Sequence, residues 1–428
     1  MTGQPDSDFK LEPSTIRAIV KKSVDLLESK CIRLGDVAPD WRGLFAANGA
    51  SLERANSRTA FETEMNRVLA QGRLSHVAFF HSSGSSAPAR YAINATFCPA
   101  DLGGAGERWM FQDVHPGGPA ERAGIRPGDI LLEVNGKPLM PPSLPRFPLG
   151  EDADLLVSRG DGSMASVNVV LPKAQTNGKT GAKPPMAEPT SVTASMLDQE
   201  VGYLRVAFFP GVNGRRFARK FEAALASIGE CRRLVVDLRG NLGGFVGSLR
   251  LMSALTPDRI PVGYSLTRKG SDRGWKRDTL PCIDRLPESR LDVLRMALRF
   301  LVLNRDRSIR LTTEGLGARP FHGRVVMLIN EHTLSAGEMV AAFASENRLA
   351  TLVGTRTGGQ VLGGGNFAVG SSFVLRFPAA AWYMWSGATV EGGGVSPRVD
   401  VPLDLFARRL GADSQLRSAL DTVRALEK

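Results

Sequence analysis

Among the residues able to attack a carbonyl carbon, Ser335 has the most suggestive surroundings. It lies in Val325-Val-Met-Leu-Ile-Asn-Glu-His-Thr-Leu-Ser-Ala-Gly-Glu-Met-Val340, which reads as a buried strand, a tight turn and a helix. The apolar run 325–329 is β-branched and short, as expected of a strand covered on both faces. A serine at such a junction points its hydroxyl out of the sheet, beside the first free amides and the positive end of the helix. That setting suits an attacking oxygen and the oxyanion it creates. The spacing Ser335 to Glu338 is also that of a capping box, so the turn alone does not decide between nucleophile and cap. A second stretch, Arg239-Gly-Asn-Leu-Gly-Gly244, follows the apolar run 234–238 and precedes an expected helix over 245–255. Glycine lets main-chain amides turn toward a substrate oxygen. The amide of Gly243 or Gly244, with that of Ala336, would make an oxyanion hole; a plain tight turn is the other reading.

These two turns need a scaffold that brings them together, and the rest of the chain supplies one. Residues 201–209 alternate like a strand, 216–228 have helical periodicity, 234–238 form a buried strand, and the rhythm continues through Ser335 to 349–353. Strands alternating with helices imply a mostly parallel sheet. Loops leaving the C-terminal strand ends of such a sheet share one rim. Residues 14–81 read as helices ending near Gly72, with Ser75 and His76 on the way into a strand at 77–80. Segments 373–377 and 381–385 read as a hairpin, and 413–426 as a last helix.

With 428 residues, 43% of them hydrophobic, the chain can bury two or three cores. Its 54 basic and 43 acidic residues leave a formal charge of +11. No arginine block with interleaved aromatics accompanies that charge, so nucleic-acid binding is not expected. The four cysteines are scattered without a Cys-x-x-Cys pair, and no histidines fall at metal-ligand spacing, so no metal is expected. No run is long enough to span a bilayer, and no signal segment stands at the start. The expected location is cytoplasmic, or periplasmic or secreted if a leader has been removed.

Between residues 92 and 174 the pattern changes to short strands and glycine turns. In Phe111-Gln-Asp-Val-His-Pro-Gly-Gly-Pro-Ala-Glu-Arg-Ala-Gly-Ile-Arg-Pro-Gly-Asp-Ile-Leu-Leu-Glu-Val-Asn-Gly136, Pro119 starts a short helix and Gly124 ends it. Pro127-Gly128-Asp129 makes a turn, 130–134 a strand, and Asn135-Gly136 a hairpin. This stretch closely resembles a PDZ domain, a module that adds an extended peptide to its sheet edge, commonly at a free C-terminus.

Behind that module stand Asp237-Leu-Arg-Gly-Asn-Leu-Gly-Gly244, Asn330-Glu-His-Thr-Leu-Ser-Ala-Gly-Glu338 and Val353-Gly-Thr-Arg-Thr-Gly-Gly359. Together they resemble the S41 family of serine peptidases, which includes the C-terminal processing peptidases and the tricorn core proteases. The resemblance runs from about residue 76 to 404 and implies an α/β fold. It consists of a crotonase/ClpP-like catalytic core with an inserted PDZ-like β domain and an N-terminal helical cap. The expected divisions are a helical cap region over 1–91, the PDZ domain over 92–174, a linker over 175–195 and the core with its C-terminal helix over 196–428.

Processing peptidases activate serine with a lysine in a Phe-Gly-Lys-Gly motif, where this chain has Gln360, which cannot accept a proton. The tricorn branch instead uses a histidine from before the PDZ domain and a late glutamate. Leu74-Ser-His76 and Thr389-Val-Glu-Gly-Gly-Gly-Val-Ser-Pro397 resemble those two places. The resemblance therefore implies Ser335 as nucleophile, His76 as general base, Glu391 as the group orienting the imidazole, and Ser75 in support. Imidazole also has the pKa such a base needs. Of the other four histidines, His115 lies in the PDZ signature, His322 in a connecting loop and His332 too near Ser335 in the chain; His81 remains a rival. Glu338 is expected to cap its helix rather than join the triad.

The expected function is a serine-type peptidase, acting on polypeptide without metal or organic cofactor, with the PDZ domain delivering or gating a C-terminal tail. A homo-oligomer is left open. The alternative, which the missing lysine leaves open, is an inactive S41-fold binder of peptides or hydrophobic ligands.

Overall fold

A computed structural model describes residues 8–34, 39–82, 86–101, 106–173, 187–211, 214–244, 246–298, 307–317, 321 and 323–426. His322 and Phe245 lie outside these residues, as does most of the expected linker.

The first sheet runs Val192–Met196, Val201–Val206, Arg233–Asp237, Arg324–Ile329, Thr351–Gly354, Val399–Asp400. Its first pair is antiparallel and the others are parallel. Alternate residues of its central strands serve two cores. Leu234, Val236, Val325, Met327 and Ile329 meet Phe217, Phe221, Leu249, Val340 and Phe343 from the helices Arg215–Ser227, Ser248–Ala254 and Ala336–Glu346. Val235, Val326, Leu328 and Val353 face Ala419 and Val423 of the helix Ser414–Ala425. Burial on both sides explains why residues 234–236 and 325–329 are apolar at every position.

The second sheet is built on one long strand, Phe373–Met384. The expected hairpin over 373–385 is therefore corrected. Residues 373–376 pair with Ala78–His81, and 380–384 with Pro261–Thr267. Gly363–Gly370 runs along the strand's other edge, with a register shift opposite Pro378 to Ala380. A bulge lets the strand pass through a proline that has no N–H to donate. The proline between two apolar runs thus marks an irregular pairing rather than a chain reversal. The helices Pro13–Lys30, Trp41–Ala47, Gly49–Arg54 and Arg58–Ala70 cover this sheet, burying Ile16, Phe61 and Met65 against Phe79, Phe373 and Leu375.

The third sheet, Ala95–Ala100, Arg108–Val114, Ile130–Val134, Asp152–Ser158 and Met164–Val170, is antiparallel throughout. The helix Pro119–Arg122 ends before Gly124 at φ 80°, and Asn135 and Gly136 both have positive φ, as a two-residue primed hairpin turn requires.

Two boundaries move from their expected places. Ala87, Ala89 and Ala92 belong to the core of this third sheet, so its module reaches back before residue 92. The strand Val192–Met196 begins inside the segment read as linker and forms an edge of the first sheet. Small and polar residues such as Thr193, Ala194 and Ser195 suit an edge strand but carry little apolar signal.

Candidate active site

Ser335 stands between the strand Arg324–Ile329 and the helix Ala336–Glu346, with φ 54° and ψ −118°. Such a conformation costs a non-glycine residue about 1–3 kcal/mol and persists only where its neighbours fix it. Here the Ser335 amide donates to Gln360 O at 3.0 Å and to Glu338 Oε2 at 3.1 Å. Gly243 packs directly over it: a Cβ on Gly243 would lie 2.6 Å from Ser335 Cβ and 3.1 Å from its Oγ.

The two turns meet on one rim because their strands are parallel neighbours. Leu334 N donates to Asn241 O at 3.0 Å, Thr333 Oγ1 to Leu238 O at 2.8 Å, and Gly240 N to Asn330 Oδ1 at 3.0 Å. Below them Asp237 is fully buried and accepts from Tyr203, Arg205 and Arg239. Burial would push its carboxyl pKa up, but the Arg239 and Arg205 charges outweigh burial and hold it well below the usual range. Arg239 also clasps both oxygens of Asp413, at 2.9 Å each.

The Gly243 amide is engaged within its own loop, donating to Asn241 Oδ1 at 2.8 Å. Ala336 is the first residue of its helix, where an amide has no carbonyl of its own helix to meet.

His76 enters from the second sheet, just before the strand Ala78–His81, in the left-handed region at φ 59°. Its Nδ1 is 2.9 Å from Ser75 Oγ. With the hydroxyl accepting from Nδ1–H, the lone pair is left on Nε2. Ser75 N donates to Glu391 Oε1 at 3.0 Å, and Val361 N to Glu391 Oε2 at 2.9 Å. Each oxygen of Glu391 accepts from a backbone amide, and among the described residues it makes no hydrogen bond to the imidazole, so its link to the ring runs through Ser75. Among the described residues Nε2 makes no hydrogen bond to Ser335 Oγ. Burial first, then the Arg376 and Arg90 charges, lower the His76 pKa to about 4.

Residues 359–361 join the two halves. Gln360 O receives the Ser335 amide, Val361 N holds Glu391, Gly359 O receives Gly392 N at 2.9 Å, and the amides of Gly359 and Gln360 donate to Glu338 at 2.7 Å each. Thr357 Oγ1 donates to the same carboxylate at 2.7 Å. Glu338 thus does more than cap its helix: it ties four donors under the nucleophile turn. Burial raises its pKa, with those donors pulling the other way.

The remaining described histidines serve elsewhere. His81 packs its ring edge-on to Phe9 and Phe373. His332 Nε2 meets Phe97 O at 3.1 Å, and His115 Nε2 meets Gly240 O at 2.9 Å. The last of these contacts binds the third sheet to the glycine loop. Asp113 accepts from Asn330 Nδ2 at 2.9 Å, and Gln112 Nε2 donates to Glu331 at 2.7 Å. Sequence reasoning missed the Arg376 and Arg90 charges that act on His76, since neither residue carries a motif.

The family model of peptidase family S41 matches residues 200–401, and a PDZ domain model matches residues 110–146. The chain is similar to peptidase family S41 over residues 200–401. A tricorn protease homologue of Streptomyces coelicolor is 27% identical over 402 residues, covering 89% of this chain and 30% of that protein. The chloroplastic C-terminal processing peptidase of Tetradesmus obliquus is 27% identical over 338 residues, covering 74% and 63%. The chain thus spans less than two thirds of these curated relatives. Among solved structures, mature CPAF is similar with a TM-score of 0.55 at 16% identity, covering 96% of this chain and 97% of that one. The photosystem II D1 C-terminal processing protease gives 0.53 at 17%, covering 92% and 96%. These likenesses concern the fold, an S41 core with a PDZ module. Among the described residues no helix is long and apolar enough to cross a membrane.

Proposed function

We propose that this S41 chain is a serine peptidase that cleaves polypeptide through an acyl-enzyme on Ser335. The observation that carries the reading is the shared segment 359–361, which hydrogen-bonds Ser335 on one side and the Glu391 support of His76 on the other. Ser335 Oγ attacks the scissile carbonyl while its proton passes to His76 Nε2. The amides of Ala336 and Gly244 receive the oxyanion. Collapse breaks the C–N bond, and the imidazolium gives its proton to the departing amine. Water, deprotonated by the same imidazole, then frees Ser335. Glu391 and Ser75 are positioning residues that fix the ring's tautomer. Catalytic hydrogen bonds are often long before substrate arrives, and binding closes Nε2 onto Oγ.

The PDZ module presents the tail of the polypeptide, and its contacts through Gln112, Asp113 and His115 tie its placement to the glycine loop. The test is hydrolysis of an unstructured polypeptide, with binding measured alongside. Ser335→Ala and His76→Ala are expected to keep binding and to lose turnover by about 10³-fold or more. The missing Nε2–Oγ bond favours the other reading, a non-catalytic peptide binder. That reading predicts no turnover in wild type and the same affinity in all three proteins.

A further inference from the structure

Beyond residues 200–401, where the S41 likeness lies, the chain forms a strap that joins the third sheet to the glycine loop. The short helix Leu405–Arg409 lies along that sheet, with Leu403 and Leu405 packed on Ala100, Met110 and Ile130. Its backbone runs so close to the turns at Gly128 and Gly160 that neither position has room for a Cβ. Arg408 is buried and donates from Nε and Nη2 to Gln112 O, at 3.3 and 2.8 Å. Arg409 donates to Ser158 O at 3.2 Å and to Ser158 Oγ at 2.8 Å.

Arg408 also reaches the other way. Its Nη1 donates at 3.0 Å to Asp413 Oδ2, the same oxygen that Arg239 Nη2 holds. Asp413 Oδ1 accepts from Arg239 Nη1 and, as the cap of the helix Ser414–Ala425, from the Leu416 amide, at 2.9 Å each. One carboxylate thus lies between two enclosed arginines that would otherwise repel each other. Burial acts to raise the Asp413 pKa, but the charges of Arg239 and then Arg408 hold it below the ordinary carboxylate value. Arg239 opens the glycine loop, and its amide and guanidinium both grip Asp237. After it, the amides of Gly240, Asn241, Leu242 and Gly243 are all engaged, by Asn330, Leu238, Ala207 and Asn241 in turn. A loop bonded at every step has little slack, so a displacement at Arg239 is carried to Gly244.

We propose that Asp413 and Arg408 are positioning residues for the oxyanion-binding loop, fixing its aim from the C-terminal strap and holding it in one frame with the PDZ strand Arg108–Val114. The inference rests on the peptidase reading and adds to it two residues that act through Arg239 rather than on substrate.

The test compares a peptide aldehyde with the alcohol of the same peptide, on the full-length protein. Ser335 Oγ adds to the aldehyde carbon, its proton passes to His76, and the carbonyl electron pair becomes an oxyanion facing the loop amides. The alcohol has no carbonyl to accept the serine. The ratio of the two affinities therefore reads oxyanion binding apart from the rest of the peptide. Asp413→Asn removes the charge and keeps a good helix cap. Arg408→Met removes the donor fork and keeps the apolar stem. Each is expected to lower the aldehyde preference and kcat together, by about 10- to 100-fold. KM and alcohol affinity should stay within about 2-fold of wild type. The double variant should lose no more than the larger single loss, because both residues act through one ion pair. A wild-type aldehyde preference that both variants keep, even with a lower melting temperature, makes the pair a brace only and overturns the positioning role alone. Should Arg408→Met fail to fold, Asp413→Asn decides by itself. A wild type with neither aldehyde preference nor turnover rejects the peptidase reading, and the positioning role with it.

Discussion

The nucleophile side and the base side of the candidate site are built differently. Ser335 is fixed by a strand buried on both faces, a glycine pressed against its Cβ, and a buried glutamate gathering four donors beneath it. His76 sits at the start of an edge strand, in a left-handed turn, with one contact from its ring to Ser75 and a glutamate behind that serine. The first arrangement stores strain and needs the whole core to hold it. The second is a short polar chain that can shift as substrate arrives. Damage to the serine side should therefore register as lost stability, and damage to the histidine side as lost rate.

The largest effect is expected from Glu338→Ala. It leaves three buried amides and the Thr357 hydroxyl without their acceptor, at a cost of roughly 3–5 kcal/mol. Urea denaturation should show a lower midpoint, and a midpoint within experimental error of wild type would undo the contrast. Glu391→Gln follows: a carboxamide offers one acceptor oxygen where two amides need one each. We expect kcat to fall about 100-fold with KM and melting temperature little changed. A fall in melting temperature equal to that of Glu338→Ala would erase the distinction between the two sides.

The pH dependence sharpens the same comparison. His115 is fully buried against the glycine loop, and burial with the Arg205 charge holds its pKa to about 4. The unfolded chain takes up this proton near pH 6.5 while the folded protein refuses it until about pH 4. Stability is thus complete above 6.5 and falls as pH drops through that window, by roughly 3 kcal/mol for His115. His76 acts in the same direction. His115→Gln should flatten the stability profile while leaving the acid limb of activity in place, since the proposed base is His76. The smallest effect is expected from Gln112→Ala, which removes one contact to the half-exposed Glu331 and should cost about 1 kcal/mol by urea denaturation.

The sequence announces the nucleophile side far better than the base side. An apolar run, a serine and a helix start are consecutive residues, and their geometry follows from local rules. The turns of the third sheet are equally local, since Gly124, Gly128 and Gly136 each occupy a positive φ that their position demands. The base side depends on residues that meet only after folding. Ser75 and Glu391 are 316 positions apart, and the Ser75 amide rather than the imidazole is the partner of Glu391. Arg376 was unreadable for a further reason. The long strand carrying it passes through Pro378 by a bulge, so its sequence mimics a hairpin and conceals its pairing with Ala78–His81. Glu338 was visible as a cap, but its links to Thr357, Gly359 and Gln360 arise from a loop one strand away.

The most direct test is to label the protein with a fluorophosphonate in the presence of a peptide and locate the adduct by mass spectrometry. The account predicts an adduct on Ser335 that is absent in Ser335→Ala and forms at least about 100-fold more slowly in His76→Ala. No adduct on wild-type Ser335, or equal rates with and without His76, would contradict it.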